Sequence, residues 1–224
     1  MKRIHRLILI VLPVFLVLSC SQKQPEKQET ENTEASQQAE TAVKTILFFG
    51  NSLTAGYGID EEDAFPALIQ DRIDSLGMDY RVINAGLSGE TTASGLSRLD
   101  WFLEEQPDLF ILELGGNDGL RGISLEETRK NLRGIISQVR EKYPETQIVL
   151  AGMQIPPNMG TEYAADFRSM YAQIAAETGV ALIPFLLEGV AGDPELNLPD
   201  GIHPTEEGHL LVAETVWQYL QPLL

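Results

Sequence analysis

From Thr45 onward, short apolar runs recur along the chain: Ile46–Phe49, Tyr80–Asn84, Leu109–Leu114, Ile148–Ala151 and Val180–Phe185. Runs of this length, bounded by Gly, Pro or Asn, predict strands buried on both faces of a sheet. Between them the apolar period changes to that of a helix. Leu125, Leu132, Ile135, Ile136 and Val139 fall on one face, and Ser124 with Glu127 three residues on predicts a capping box at its start. Tyr163, Phe167, Met170, Tyr171 and Ile174 mark a second face, stopped by Gly179. Leu210, Ala213, Val216, Trp217 and Leu220 mark a third. The aromatics on these faces read as core packing. Strands alternating with helices predict an α/β domain, a three-layer α/β/α sandwich around a five-stranded parallel sheet. Right-handed crossovers place helices on both faces. Sites in such sheets form beyond the carboxyl ends of the strands.

The first 44 residues follow neither period. Met1–Arg6 is basic, Leu7–Leu18 is apolar apart from Pro13, and Ser19-Cys20 follows. This is the layout of an export signal, too short for a comfortable membrane span of about 20 residues. Leu16-Val-Leu-Ser-Cys20 resembles the bacterial lipobox. That resemblance implies cleavage before Cys20, a lipid on its sulfur and a place in the bacterial cell envelope, the chain held to a membrane. Residues 21–44 are Gln, Glu, Lys, Ser, Thr and Ala in the main, with no aromatic, and are expected to form a polar tether. The expected organisation is therefore a signal peptide over 1–19, a lipidated Cys20 and tether over 20–44, and one domain over 45–224.

Charge and cysteine usage narrow the partners. The formal net charge is −17, and removal of Lys2, Arg3 and Arg6 with the signal leaves about −20. Such a surface argues against nucleic acid as a partner. One cysteine permits no internal disulfide, and the lipid at Cys20 accounts for it.

The predicted strand ends carry polar and glycine-rich segments. The first is followed by Gly50-Asn51-Ser52-Leu53-Thr54-Ala55-Gly56, the second by Asn84-Ala85-Gly86-Leu87-Ser88-Gly89-Glu90-Thr91, the third by Gly115-Gly116-Asn117-Asp118-Gly119. Each alone reads equally as a turn or a helix cap. Near the C-terminus stands Asp200-Gly201-Ile202-His203-Pro204. An aspartate three residues before a histidine can hold one ring nitrogen and leave the other free to take a serine proton. Of three histidines, only His203 has an aspartate three residues before it; His5 lies in the expected signal and His209 in the expected last helix. Together the segments offer a nucleophile, a base, a group that orients the base, and oxyanion donors, which are the parts of acyl transfer.

The four segments resemble the four blocks of SGNH (GDSL-like) hydrolases, in the family's order. Gly115–Gly122 and Asn84–Thr91 are similar to the branch of bacterial acyl-CoA thioesterase, lysophospholipase and arylesterase enzymes. The resemblance implies Ser52 as nucleophile, His203 as general base and Asp200 as its orienting carboxylate. It implies an oxyanion hole from the N–H groups of Ser52 and Gly89 and the Asn117 amide, with no metal or organic cofactor. One residue departs from the pattern: Asn51 stands where the family usually has Asp. Asn keeps the shape and one acceptor but loses the charge.

The expected substrate is a small acyl ester or a lysophospholipid, since an export signal argues against acyl-CoA. Ile155 and Met159, in the segment after the fourth strand, suit an acyl chain or a packed loop equally. A carbohydrate O-acetylesterase uses the same catalytic parts, and a non-catalytic binding module is the remaining alternative. Oligomeric state is not legible in the chain.

Overall fold

The computed structural model describes residues 43–224. The expected signal, Cys20 and nearly all of the tether lie outside them. Among the described residues, five strands form one parallel sheet: β1 (Lys44–Gly50), β2 (Tyr80–Gly86), β3 (Leu109–Glu113), β4 (Gln147–Ala151) and β5 (Ala181–Ile183). The sheet order is β2-β1-β3-β4-β5. The first strand starts one residue before the expected domain boundary, because Lys44 is in register with Tyr80 and its Nζ donates to the Tyr80 hydroxyl at 3.2 Å.

The α-helices of the described residues are α1 (Ser52–Ala55), α2 (Phe65–Ser75), α3 (Thr92–Arg98), α4 (Gly116–Leu120), α5 (Leu125–Lys142), α6 (Thr161–Thr178) and α7 (Glu206–Leu220). Successive side chains of a strand point to opposite faces of the sheet, and β1 shows what each face meets. Phe48 packs edge-on against Phe65 of α2, while Phe49 meets Phe102 just beyond α3. Helix α2 packs on α7, and α5 packs on both α3 and α6. The result is the three-layer α/β/α sandwich that the alternation predicts.

Three expectations need correction. Strands β1, β3 and β4 are buried along nearly their whole length, but β2 and β5 are only partly so. These two are the sheet edges, where the layers of helices no longer cover both faces. Ser124 does occupy the N-cap of α5, yet its side chain makes no capping bond. The capping box forms instead at Thr91 and Ser94, at the start of α3. In α7 the inward face is His209, Val212, Ala213, Val216, Trp217 and Leu220, while Leu210 is exposed. A step of one residue turns a helix by about 100°, enough to carry Leu210 off the buried stripe.

Candidate active site

The register of the three central strands assembles the site. Gly50 pairs with Gly86 on one side and with Glu113 on the other, so the ends of β1, β2 and β3 lie level. A Cβ on Gly86 would run into the backbone of Ala55, and one on Gly50 into the Thr54 side chain. Both strands can therefore rise directly beneath α1 only as glycine. Asn51 caps that helix, its Oδ1 accepting from the Leu53 N–H at 2.9 Å, and Gly56 in the left-handed region ends it one turn later. Ser52 is thus the first residue of a one-turn helix and not its cap, which removes the plain capping role for its hydroxyl.

His203 reaches Ser52 from a tight turn. Leu198 N–H donates to the His203 carbonyl at 2.7 Å, and Gly201 N–H to the Leu198 carbonyl at 2.8 Å. Gly201 takes a positive φ of 69° there, which favours glycine. Asp200 Oδ1 accepts from the Ile202 and His203 N–H groups at 2.9 and 3.0 Å. This fixes the carboxylate so that Oδ2 lies 2.6 Å from His203 Nδ1. Nδ1 then carries the proton, and Nε2 faces Ser52 Oγ at 2.8 Å as an acceptor. Desolvation pushes the Asp200 carboxyl up, but the bonds from the His203 ring and from the two backbone N–H groups outweigh it and hold it at about 2. The Tyr57 ring lies 4.6 Å from the imidazole, centroid to centroid, and gives the ring a wall.

The other two expected residues sit on neighbouring segments. Asn117, on α4, lines the same cavity as Ser52 and His203. One of its two amide hydrogens is engaged by the Glu90 carbonyl at 3.0 Å, which sets the plane of the amide and leaves the second hydrogen available. Gly89, at φ 79°, is not a wall of the cavity. Arg121, just after α4, donates to its carbonyl at 2.9 Å. The loop with Gly89 and the helix with Asn117 are therefore tied together at two points.

Beneath Ser52 lies a group that the motif reading missed. Glu113, at the end of β3, is 1% exposed. Its carboxylate accepts from the Asn51 N–H at 3.0 Å, from Asn51 Nδ2 at 2.6 Å and from Thr54 Oγ1 at 2.8 Å. Burial pushes the Glu113 carboxyl up to about 7, against the pull of these donors. The signal was available: an acid at the end of an otherwise apolar strand must find partners in the interior. A second buried acid, Glu90, pairs with Arg98 at 2.5 Å. Arg98 also donates to the Gly50 and Ala85 carbonyls, at 3.3 and 2.7 Å, binding the ends of β1 and β2 to α3.

The cavity measures ≈ 520 Å³ and runs from Ser52 between apolar walls. Leu53, Leu120, Met153, Ile155 and Phe185 contribute to them. Ile155 is buried in the wall, whereas Met159 is on the surface and outside it. Among the described residues, no cluster of three or more His, Cys, Asp or Glu side chains is placed to hold a metal ion. His209, the other described histidine, takes no part. It is buried in α7 and its Nδ1 accepts from the Phe65 N–H at 3.1 Å.

Known proteins carry the same fold and sequence pattern. The chain is 43% identical over 186 residues to the esterase TesA of Pseudomonas aeruginosa, covering 83% of this chain and 92% of that protein. It is 38% identical over 184 residues to the thioesterase 1/protease 1/lysophospholipase L1 of Escherichia coli, covering 82% and 86%. The crystal structure of the psychrotrophic esterase EstA from Pseudoalteromonas sp., inhibited by monoethylphosphonate, superposes with a TM-score of 0.76 at 33% identity, covering 80% and 97%. Residues 48–211 match the model of the GDSL-like lipase/acylhydrolase family, and the chain belongs to that family.

Proposed function

We propose that this serine esterase hydrolyses carboxylic esters through an acyl-enzyme on Ser52. Ser52 Oγ attacks the carbonyl carbon and gives its proton to His203 Nε2. Asp200 holds the imidazole in the tautomer that can accept it, and stabilises the cation that results. The negative oxygen is received by the second Asn117 amide hydrogen and the Ser52 N–H, both on the cavity, and the family resemblance adds the Gly89 N–H from the loop tied to α4. As the tetrahedral intermediate collapses, the alcohol or thiol leaves with the proton from His203. Water, deprotonated by the same imidazole, then releases the acid and restores Ser52. The observation that carries this reading is the chain of contacts Asp200–His203–Ser52 at 2.6 and 2.8 Å.

The substrate follows from the walls. An apolar cavity of this size beside a nucleophile suits the acyl chain of an ester or lysophospholipid. Sugar acetates would leave most of that apolar surface unused. Hydrolysis of p-nitrophenyl esters from acetate to palmitate by residues 21–224, beside Ser52→Ala and His203→Ala variants, tests both points. Activity is expected to peak at medium or long chains and to fall by roughly 10⁴–10⁶-fold in either variant. Retained turnover in folded Ser52→Ala would remove the nucleophile assignment, and activity confined to acetate would favour a deacetylase.

Leu16–Cys20 further supports a lipid-anchored enzyme of the cell envelope. Intact-mass measurement of the protein from bacterial membranes tests this. A mass matching diacylglyceryl-Cys20 is expected, and a soluble product with unmodified Cys20 would overturn it.

A further inference from the structure

The family's usual Asp is replaced here by Asn51, and the structure places that side chain 2.6 Å from a buried carboxylate. We infer that Asn51 and Glu113 form a positioning pair beneath Ser52, in which the amide supplies a hydrogen that no rise in pH removes, so that the nucleophile stays seated under alkaline conditions. This rests on Ser52 being the nucleophile.

The hydrogen-bond inventory around Glu113 leads to this assignment. An ionised carboxylate only accepts, and Glu113 receives hydrogens from the Asn51 N–H, the Asn51 amide and Thr54. Asn51 in turn accepts at its Oδ1 from the Leu53 N–H, which starts α1, at 2.9 Å, and from Ser52 Oγ at 3.4 Å. Ser52 lies between these anchored residues, so the line from Glu113 through Asn51 to α1 fixes the turn that aims its Oγ. With Asp at position 51, an oxygen would replace Nδ2 against Glu113 Oε1. Two carboxylate oxygens at that separation can share one proton, but both cannot stand charged. The contact would hold until that proton left, then become repulsive, and α1 would shift with it.

Other charged or titratable groups near Glu113 do not change this count. Tyr171 of α6 faces it, but its hydroxyl donates to the Leu114 carbonyl and burial pushes it well above the usual phenol range. Arg98, near Gly50, is matched by Glu90. Asp118 of α4 is held by Thr92, whose N–H donates to it at 2.9 Å. Asp200 is paired with His203, whose other ring nitrogen meets Ser52 Oγ. Burial raises Glu113 to about 7, so on the alkaline side the carboxylate is charged and the amide is the partner it needs.

The test is the pH dependence of kcat/KM from pH 6 to 10 for the wild type, Asn51→Asp, and the exchange Asn51→Asp/Glu113→Gln. The wild type should hold its rate at the alkaline end. Asn51→Asp should gain an alkaline limb, falling about tenfold per pH unit beyond it. The exchange moves the permanent donor to position 113 and the charge to position 51. It should abolish that limb or, if Asn51→Asp is inactive throughout, restore activity. An Asn51→Asp profile that superposes on the wild type would overturn the inference, as would a double variant no better than the single. Ser52→Ala assayed alongside separates the two levels. An active Ser52→Ala means the nucleophile assignment has failed, whereas an inactive one with superposing profiles means that only the positioning pair has.

Discussion

His203 Nε2 and Ser52 Oγ stand 2.8 Å apart, although 151 positions separate them in the chain. The contact exists because one residue opens the helix after the first strand and the other ends a turn before the last helix. Strands β2 to β5 lie between them and, with β1 before Ser52, build the sheet that brings the two together.

The Asn117 amide is held by one hydrogen and free at the other, so its role is separable from folding. Asn117→Ala should lower kcat by on the order of 10²–10³-fold, as loss of one oxyanion donor does, with KM changed far less. Steady-state kinetics on a p-nitrophenyl ester measures this. Unchanged kcat in a folded variant would remove Asn117 from the oxyanion site.

Gly86 has no room for a side chain because the backbone of Ala55 lies against it. Gly86→Ala should push α1 off β2 and cost about 1–3 kcal/mol of stability, the usual range for overpacking. It should also lower kcat, because Ser52 moves with α1. Urea denaturation and turnover, measured together, check both effects. Loss of stability with full turnover would show that α1 does not move.

Arg98 and Glu90 form a buried pair. Removing one partner leaves an uncompensated charge, so Arg98→Met alone should destabilise by about 3–5 kcal/mol. The double variant Arg98→Met/Glu90→Met should recover part of that loss. Thermal or urea unfolding of the three proteins tests it, and a double variant less stable than the single would contradict it.

His209 should make the fold sensitive to acid. Burial, with a smaller contribution from nearby His203, pushes its imidazole down to about 4 from an ordinary value near 6.5. Below 6.5 the unfolded chain takes up a proton at this position that the folded chain refuses. The contribution is therefore fully present above pH 6.5 and is lost as pH falls toward 4, by on the order of 3 kcal/mol. His209→Asn keeps an acceptor for the Phe65 N–H but has nothing to titrate. Its unfolding free energy should depend less steeply on pH between 6.5 and 4 than that of the wild type. Parallel curves would show that His209 titrates alike in both states.

The sequence made the layers legible because burial writes itself in apolar periods. All five strands lie where the runs predict, and α5 and α6 turn inward on the faces expected. Periodicity does not say which strand is at an edge, and so β2 and β5 read as more covered than they are. It also misplaced Leu210, since an apolar residue can sit on a surface without penalty while buried His209 carries no apolar mark. The resemblance brought Ser52, Asn117, Asp200 and His203 to one site, because each lies in a short contiguous motif. Glu113 went unnoticed because its partners, Asn51 and Thr54, are about 60 positions away, and only the pairing of β1 with β3 brings them together.

The strands are all parallel, and this gives the domain a front and a back. Ser52 follows the end of β1 at Gly50, while Lys44 begins the strand, six residues and about 20 Å of extended backbone before Gly50. The chain preceding residue 43 joins at the back. A support attached at the start of β1 lies the length of the sheet from the mouth, and so does one attached at Leu224, whose carbonyl accepts from the Tyr80 hydroxyl at the start of β2. Either end of the domain is therefore a handle by which the enzyme can be immobilised with its cavity left open to solution.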